Sequence, residues 1–150
     1  MKIYVATSWR NERQPAIVAM LRADGHEVYD FRNPAPGDHG FHWDAIDPVW
    51  QQWGPAEYVQ ALEHPVAEAG FDKDMGALSQ ADAVVLVLPC GKSAHLEAGW
   101  AVGAGKRLFI LLEPEDRVEP ELMYKMTSRI HCDMAAILCR LRMMEGRPEA

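Results

Sequence analysis

The unbroken apolar run Ala83-Val84-Val85-Leu86-Val87-Leu88 constrains the fold of this chain more than any other feature. It is far too short to span a membrane and too continuous for a strand with one wet face. It predicts a strand covered on both faces, the situation of a central strand in a parallel sheet. A second such run, 107–112, follows one helix later, and a shorter one, 2–6, opens the chain. Between them the apolar spacing turns helical. Residues 14–23 put Ile17, Val18, Met20 and Leu21 on one face, with Gly25 where a carboxyl-terminal cap belongs. A second strand is expected at 26–31. Helices are expected at 55–63, at 65–78 with Val66, Phe71, Met75 and Leu78 as its buried stripe, and at 94–104 with Ser93 as its cap and Gly105 closing it. A short helix at 120–126, an edge strand at 130–132 and a helix at 134–144 with Ile137, Leu138 and Leu141 inward complete the pattern. Alternating strand and helix predicts an α/β fold, an open, doubly wound parallel sheet of about five strands in the order 2-1-3-4-5.

A chain of 150 residues fits one domain, 1–150, around one core. Residues 32–57 read as a long insert, holding four prolines, three glycines and the tryptophans Trp43, Trp50 and Trp53. Loops of that length are usually functional, and indole rings there can either stack on a flat ligand or pin the loop to the core. The net charge of −7 argues against a nucleic-acid polymer, which requires a basic surface, while leaving room for one small anion. Cys90, Cys132 and Cys139 form no even framework and no paired zinc pattern, so free thiols in the cytoplasm are expected. The opening KIYVATSW is too short for a signal peptide, and no run approaches a membrane span.

In a sheet of this order, ligands sit at the carboxyl ends of the strands where the winding reverses, between strands one and three. Thr7, Ser8 and Trp9 are therefore expected to face Gly91, Ser93 and Glu97. Glu97, about a turn into the helix after the central strand, is the candidate nucleophile. Asp74, spaced to lie beside the buried stripe of the preceding helix, is the candidate acid or base. Asp72 should lie on another face and Asp82 at the opposite end of the sheet, so both read as structural. Cys90 and His95 can form a nucleophile–base pair, although a Cys ending a buried strand is more often inert. His39, His42 and Asp44 are residue types that can bind a metal, although a solvated polar loop is the commoner explanation of such a group. Gly91-Lys92-Ser93 lacks the earlier glycine of a phosphate-binding P-loop, because Leu86 occupies its place. No metal and no cofactor is expected.

The run 71–112, FDKDMGALSQADAVVLVLPCGKSAHLEAGWAVGAGKRLFILL, resembles the core of the nucleoside 2-deoxyribosyltransferase family. Glu97, Gly99, Trp100, Ala101, Gly105 and Lys106 fill its Glu-x-Gly-aromatic-Ala and Gly-Lys positions, Tyr4 matches the tyrosine of its opening strand, and Glu121, Leu122 and Met123 match its Asn-Leu-Met segment. The resemblance implies a flavodoxin-like fold, Glu97 as nucleophile and Asp74 assisting. It also implies a homo-oligomer in which a neighbouring subunit completes the pocket. The family's transferases carry an Asp in the loop before the nucleophile, where this chain reads CGKS, and Glu121 replaces the Asn. Those departures point to the related nucleotide N-hydrolases, whose Ser-bearing loop binds a 5′-phosphate. Here Ser93 and Gly91, helped by Lys92, Ser8 or Arg10, would do so.

The expected activity is cleavage of an N-glycosidic bond in a nucleoside or nucleoside 5′-monophosphate through a glycosyl-Glu97 intermediate. Water or another base resolves it, and Trp43 and the insert cover the nucleobase. The alternatives are cleavage of NAD, as in Toll/interleukin-1-receptor-like domains, and a nucleotide-binding adaptor without turnover.

Overall fold

The computed structural model of the chain describes residues 1–127 and 129–148. Two compact units emerge, Met1–Tyr29 with Gln80–Ala150, and Asp30–Ser79. Strands β1 (Lys2–Ala6), β2 (Glu27–Tyr29), β3 (Ala83–Val87), β4 (Arg107–Leu111) and β5 (Ile130–His131) alternate with helices α1 (Gln14–Ala23), α2 (Pro55–Leu62), α3 (Pro65–Gln80), α4 (Lys92–Gly103) and α5 (Met134–Met144).

In the first unit the five strands form one all-parallel sheet in the order β2-β1-β3-β4-β5. The expected flavodoxin-like order is the one found. Strand geometry sends alternate side chains to opposite faces. Ile3, Val5, Ala83, Val85, Val87, Phe109 and Leu111 therefore meet α1 through Ile17, Val18 and Leu21, and α5 through Met134, Ile137 and Leu141. On the other face α4 packs against β1, β3 and β4. Its inward residues are Ala94, Ala98 and Ala101, all buried, and side chains that small bring the helix axis close to the sheet. Every residue of β3 is buried, as its unbroken apolar run requires. Gly25 follows α1 at φ 90°, where a Cβ is disfavoured, and this lets the chain turn directly into β2.

Two expectations are corrected. Gly91, extended at φ −91° and ψ −177°, caps α4, and Ser93 lies inside its first turn. A cap needs extended backbone, and Gly91 supplies it before Ser93 is reached. In α3, Phe71 is 66% exposed and Val66 39%, while Ala67 and Leu78 are buried. Helical periodicity sets the direction of a side chain but not whether another element covers it.

The second unit joins the 32–57 stretch to α2 and to α3. Asp38 pairs with Lys73 of α3. Phe41 packs on Gly70, where an added Cβ would come within 3.0 Å of its ring. Trp43 makes T-shaped contacts with three rings, Phe41 at 4.7 Å, Trp53 at 5.7 Å and Tyr58 at 5.9 Å between centroids. Trp53 Nε1 donates to Asp47 Oδ2 at 2.7 Å. No helix among the described residues is long and apolar enough to cross a membrane.

At the amino end of the sheet Asp82 receives the Lys2 amide at 2.7 Å, the structural part expected of it. Nearby, Arg142 Nε and Arg147 Nη2 donate to Asp24 at 2.7 and 3.0 Å. The hydrogen bonds from Arg142, followed by those from Arg147, hold the Asp24 carboxyl below its ordinary pKa against the opposing effect of burial. His26 Nε2 lies 3.2 Å from Asp24 Oδ2, and burial pushes the imidazole pKa down. Both groups bind protons more weakly folded than unfolded, so their stabilisation is present above their unfolded pKa values and is lost as pH falls through the folded ones. Stability should therefore begin to decline below about pH 6.5 and fall further below about pH 4. Asp24→Asn should cost about 2 kcal/mol at neutral pH and flatten the acid limb, as measured by urea unfolding across pH.

Candidate active site

The carboxyl ends of β1 and β3 are tied by Thr7, which the sequence placed here, and by Asn11 and Arg13, which no sequence motif marked. Thr7 Oγ1 donates to the Val87 carbonyl at 2.8 Å. Asn11, 5% exposed, donates through Nδ2 to Thr7 Oγ1 at 3.1 Å, to the Leu88 carbonyl at 3.3 Å and to the Pro89 carbonyl at 3.1 Å. Its Oδ1 accepts the Arg13 amide at 3.0 Å, which shapes the turn into α1. The Arg13 guanidinium reaches the same Leu88 carbonyl, pairs with Glu113, and meets Asp116 at 2.7 Å. One arginine thus links the loops after β1, β3 and β4. The available signal was positional, since polar residues between the first strand and first helix of a doubly wound sheet sit at its switch point.

Beyond the cis Leu88–Pro89 bond the chain reaches Cys90 and then α4. Burial, and after it the negative charge of Glu97, push the Cys90 thiol up to about 11. Two consequences follow. Cys90 is a neutral thiol near pH 7 and a poor nucleophile. Glu97, half-buried, carries its carboxylate close enough to the turn after β3 to be felt there. Because α4 starts at Lys92, Glu97 falls in the second turn, where the helix dipole contributes less than it would one turn earlier.

His95, also on α4, has Nδ1 at 2.9 Å from the Gly91 carbonyl and at 3.5 Å from Cys90 Sγ. Its Nε2 lies 2.8 Å from the Tyr124 hydroxyl, and the two rings stack at 5.8 Å with 4° between their planes. Tyr124 belongs to a short 3-10 turn, Leu122–Met126, begun by Glu121, whose carboxylate accepts the Met123 amide at 3.0 Å. Burial, then the Cys90 thiolate that forms at high pH and the carboxylates of Glu121 and Glu119, push the Tyr124 phenol up to about 12.

The other expected residues fall as follows. Gly91, Lys92 and Ser93 are exposed at the start of α4. Ser8 Oγ accepts the Arg10 amide at 3.1 Å, and Trp9 is 42% exposed. Tyr4 is 1% exposed and stacks on Tyr29 at 5.4 Å, a packing position within β1. Met123 is exposed. Asp74 and Trp43 belong to the second unit, Asp74 half-buried on α3 and Trp43 at the centre of its ring cluster.

Against known structures the chain aligns with a 2-deoxyribosyltransferase from the psychrotolerant bacterium Bacillus psychrosaccharolyticus at 18% identity, a TM-score of 0.57, and 92% and 90% of the two chains. The fold is that of a 2-deoxyribosyltransferase. It also aligns with a CMP N-glycosidase of Clostridium botulinum at 17% identity and a TM-score of 0.50, over 94% of this chain and 98% of that one. No family model and no curated protein matches the chain in sequence.

Removing the Asn11 amide takes a donor from Thr7 Oγ1 and from the Leu88 and Pro89 carbonyls, of which the Leu88 carbonyl keeps Arg13. Asn11→Ala should cost about 2 kcal/mol in chemical denaturation. Iodoacetamide at pH 7 should label the exposed Cys132 well before Cys90, with Cys90 labelling rising only as pH approaches about 11, as followed by peptide mass spectrometry.

Proposed function

We propose that the chain cleaves the N-glycosidic bond of a nucleoside or nucleoside 5′-monophosphate, with Glu97 as the nucleophile. The observation that carries this reading is the half-buried Glu97 carboxylate beside the turn after β3, at the end of the sheet where such folds bind ligands. The likeness in fold to a 2-deoxyribosyltransferase and a CMP N-glycosidase supports it. The neutral Cys90 thiol supports it further, because the rival nucleophile in the same turn is silent at neutral pH.

In the proposed reaction a Glu97 oxygen attacks C1′ while the C1′–N bond breaks and its electron pair departs with the base. Asp74 is the proposed donor of a proton to that base. Water then attacks C1′ of the glycosyl ester and passes a proton to the Asp74 carboxylate as the C1′–O bond breaks and Glu97 leaves as carboxylate, or a second base attacks in the same way and gives a new nucleoside. The exposed amides at Lys92 and Ser93 begin a helix and suit an anion such as a 5′-phosphate, with the Lys92 ammonium adding charge. Trp43 is the proposed cover for the base. The chain is proposed to act in the cytoplasm as a homo-oligomer, since Leu96 and Leu122, 76% and 75% exposed, offer apolar surface that a second copy would bury.

Base release from a panel of nucleosides, nucleoside 5′-monophosphates and NAD, read by chromatography, tests the reading. Release from at least one nucleoside or monophosphate is expected, with Glu97→Ala lowering kcat by about a thousandfold or more at unchanged melting temperature. Asp74→Asn should lower kcat by about a hundredfold. Release from NAD alone would replace the substrate class. Ligand-induced thermal stabilisation without any release would make the chain a binding module. Unchanged turnover in Glu97→Ala would remove the carboxylate from the reaction.

A further inference from the structure

The helix bearing Glu97 also carries His95, whose ring is held on three sides. The Gly91 carbonyl can only accept, so the His95 Nδ1 at 2.9 Å from it carries the proton. In the neutral imidazole that assignment leaves Nε2 as an acceptor, and Tyr124 at 2.8 Å donates its hydroxyl hydrogen to it. Tyr124 stays a phenol throughout the neutral range, which keeps the donor in place. The near-parallel stacking of the two rings fixes the same pairing by shape, and Cys90 Sγ closes the third side at 3.5 Å from Nδ1. Through this one imidazole, the cap of α4, the turn after β3 and the 3-10 turn containing Met123 are held in one arrangement. His95 lies two residues before Glu97, and Tyr124 lies one residue after Met123.

We infer that His95 and Tyr124 are a positioning pair that sets the 121–126 segment as a wall of the substrate site, and so governs substrate affinity rather than the bond-breaking step. The pair touches no reacting atom. Its loss should weaken ground state and transition state alike, which raises KM and leaves kcat in place. The inference rests on the proposed activity of Glu97, and the test separates the two.

Tyr124→Phe keeps the ring and removes the hydroxyl. His95→Asn keeps a donor toward Gly91 and removes the acceptor for Tyr124. On the substrate whose base wild-type protein releases, each should raise KM by about five- to tenfold with kcat within about twofold. The double variant should be no worse than the single ones, because both remove one hydrogen bond. Nitrogen-15 spectra of wild-type protein, recorded at a pH where the ring is neutral, should show His95 protonated at Nδ1 only, with the Nε2 resonance moving in Tyr124→Phe. KM values that stay at wild-type level, or that multiply in the double variant, would overturn the pair as a positioning device. So would a spectrum showing the proton on Nε2, a result that needs no turnover. Absence of base release from wild-type protein on every substrate would instead count against the activity, while the spectrum still decides the pairing.

Discussion

The carbonyls that leave β3 are the constraint on which the candidate site depends. A strand buried along its whole length must end somewhere, and its last acceptors need donors once the ladder stops. Thr7, Asn11 and Arg13 supply them, all from the loop after β1. These bonds close the crevice between β1 and β3 on the inside, fix the course of the chain through Pro89 and Cys90, and so set the starting point of α4. Glu97 inherits its place from that starting point.

Chemistry at this end of the sheet is shaped by a shared electrostatic environment. The thiol of Cys90 and the phenol of Tyr124 are both pushed up, in each case first by burial and then by neighbouring charge, to about 11 and about 12. Both groups are thereby kept neutral near pH 7. A neutral thiol and a neutral phenol thus stand at this end of the sheet, where the Glu97 carboxylate acts on the thiol and those of Glu121 and Glu119 act on the phenol. At the opposite end of the sheet the ionic cluster of Asp24, Arg142 and Arg147 serves stability, and the two ends divide the work of the fold.

The place of Glu97, half-buried near the turn after β3, was legible from sequence because its neighbours are informative. A buried strand, a glycine-bearing turn and a small-residue helix together place that carboxylate at the crevice end of the sheet, although a Glu near a helix start also has the structural role of stabilising it. Asn11 and Arg13 were not legible, since a polar residue in a loop reads as solvated until the carbonyls it serves are known. Tyr124 was hidden for a related reason: its partner His95 lies 29 residues away, and no periodicity links a helix to a distant 3-10 turn. Ser93 misled as a cap because a hydroxyl is the usual signal, while the extended Gly91 just before it left no trace beyond its identity.

By itself the sequence determined the order and type of the elements, the burial of β3 and β4 and the parallel sheet with its switch point, because these follow from the spacing of apolar residues, which is a local property of the chain. Tertiary structure alone decided which carbonyls are served by Asn11 and Arg13, that Phe71 emerges uncovered, and that Cys90, His95, Glu97 and Tyr124 share one neighbourhood. Those outcomes depend on which distant atoms approach within hydrogen-bonding or Coulombic range, and distance through space is not written in distance along the chain.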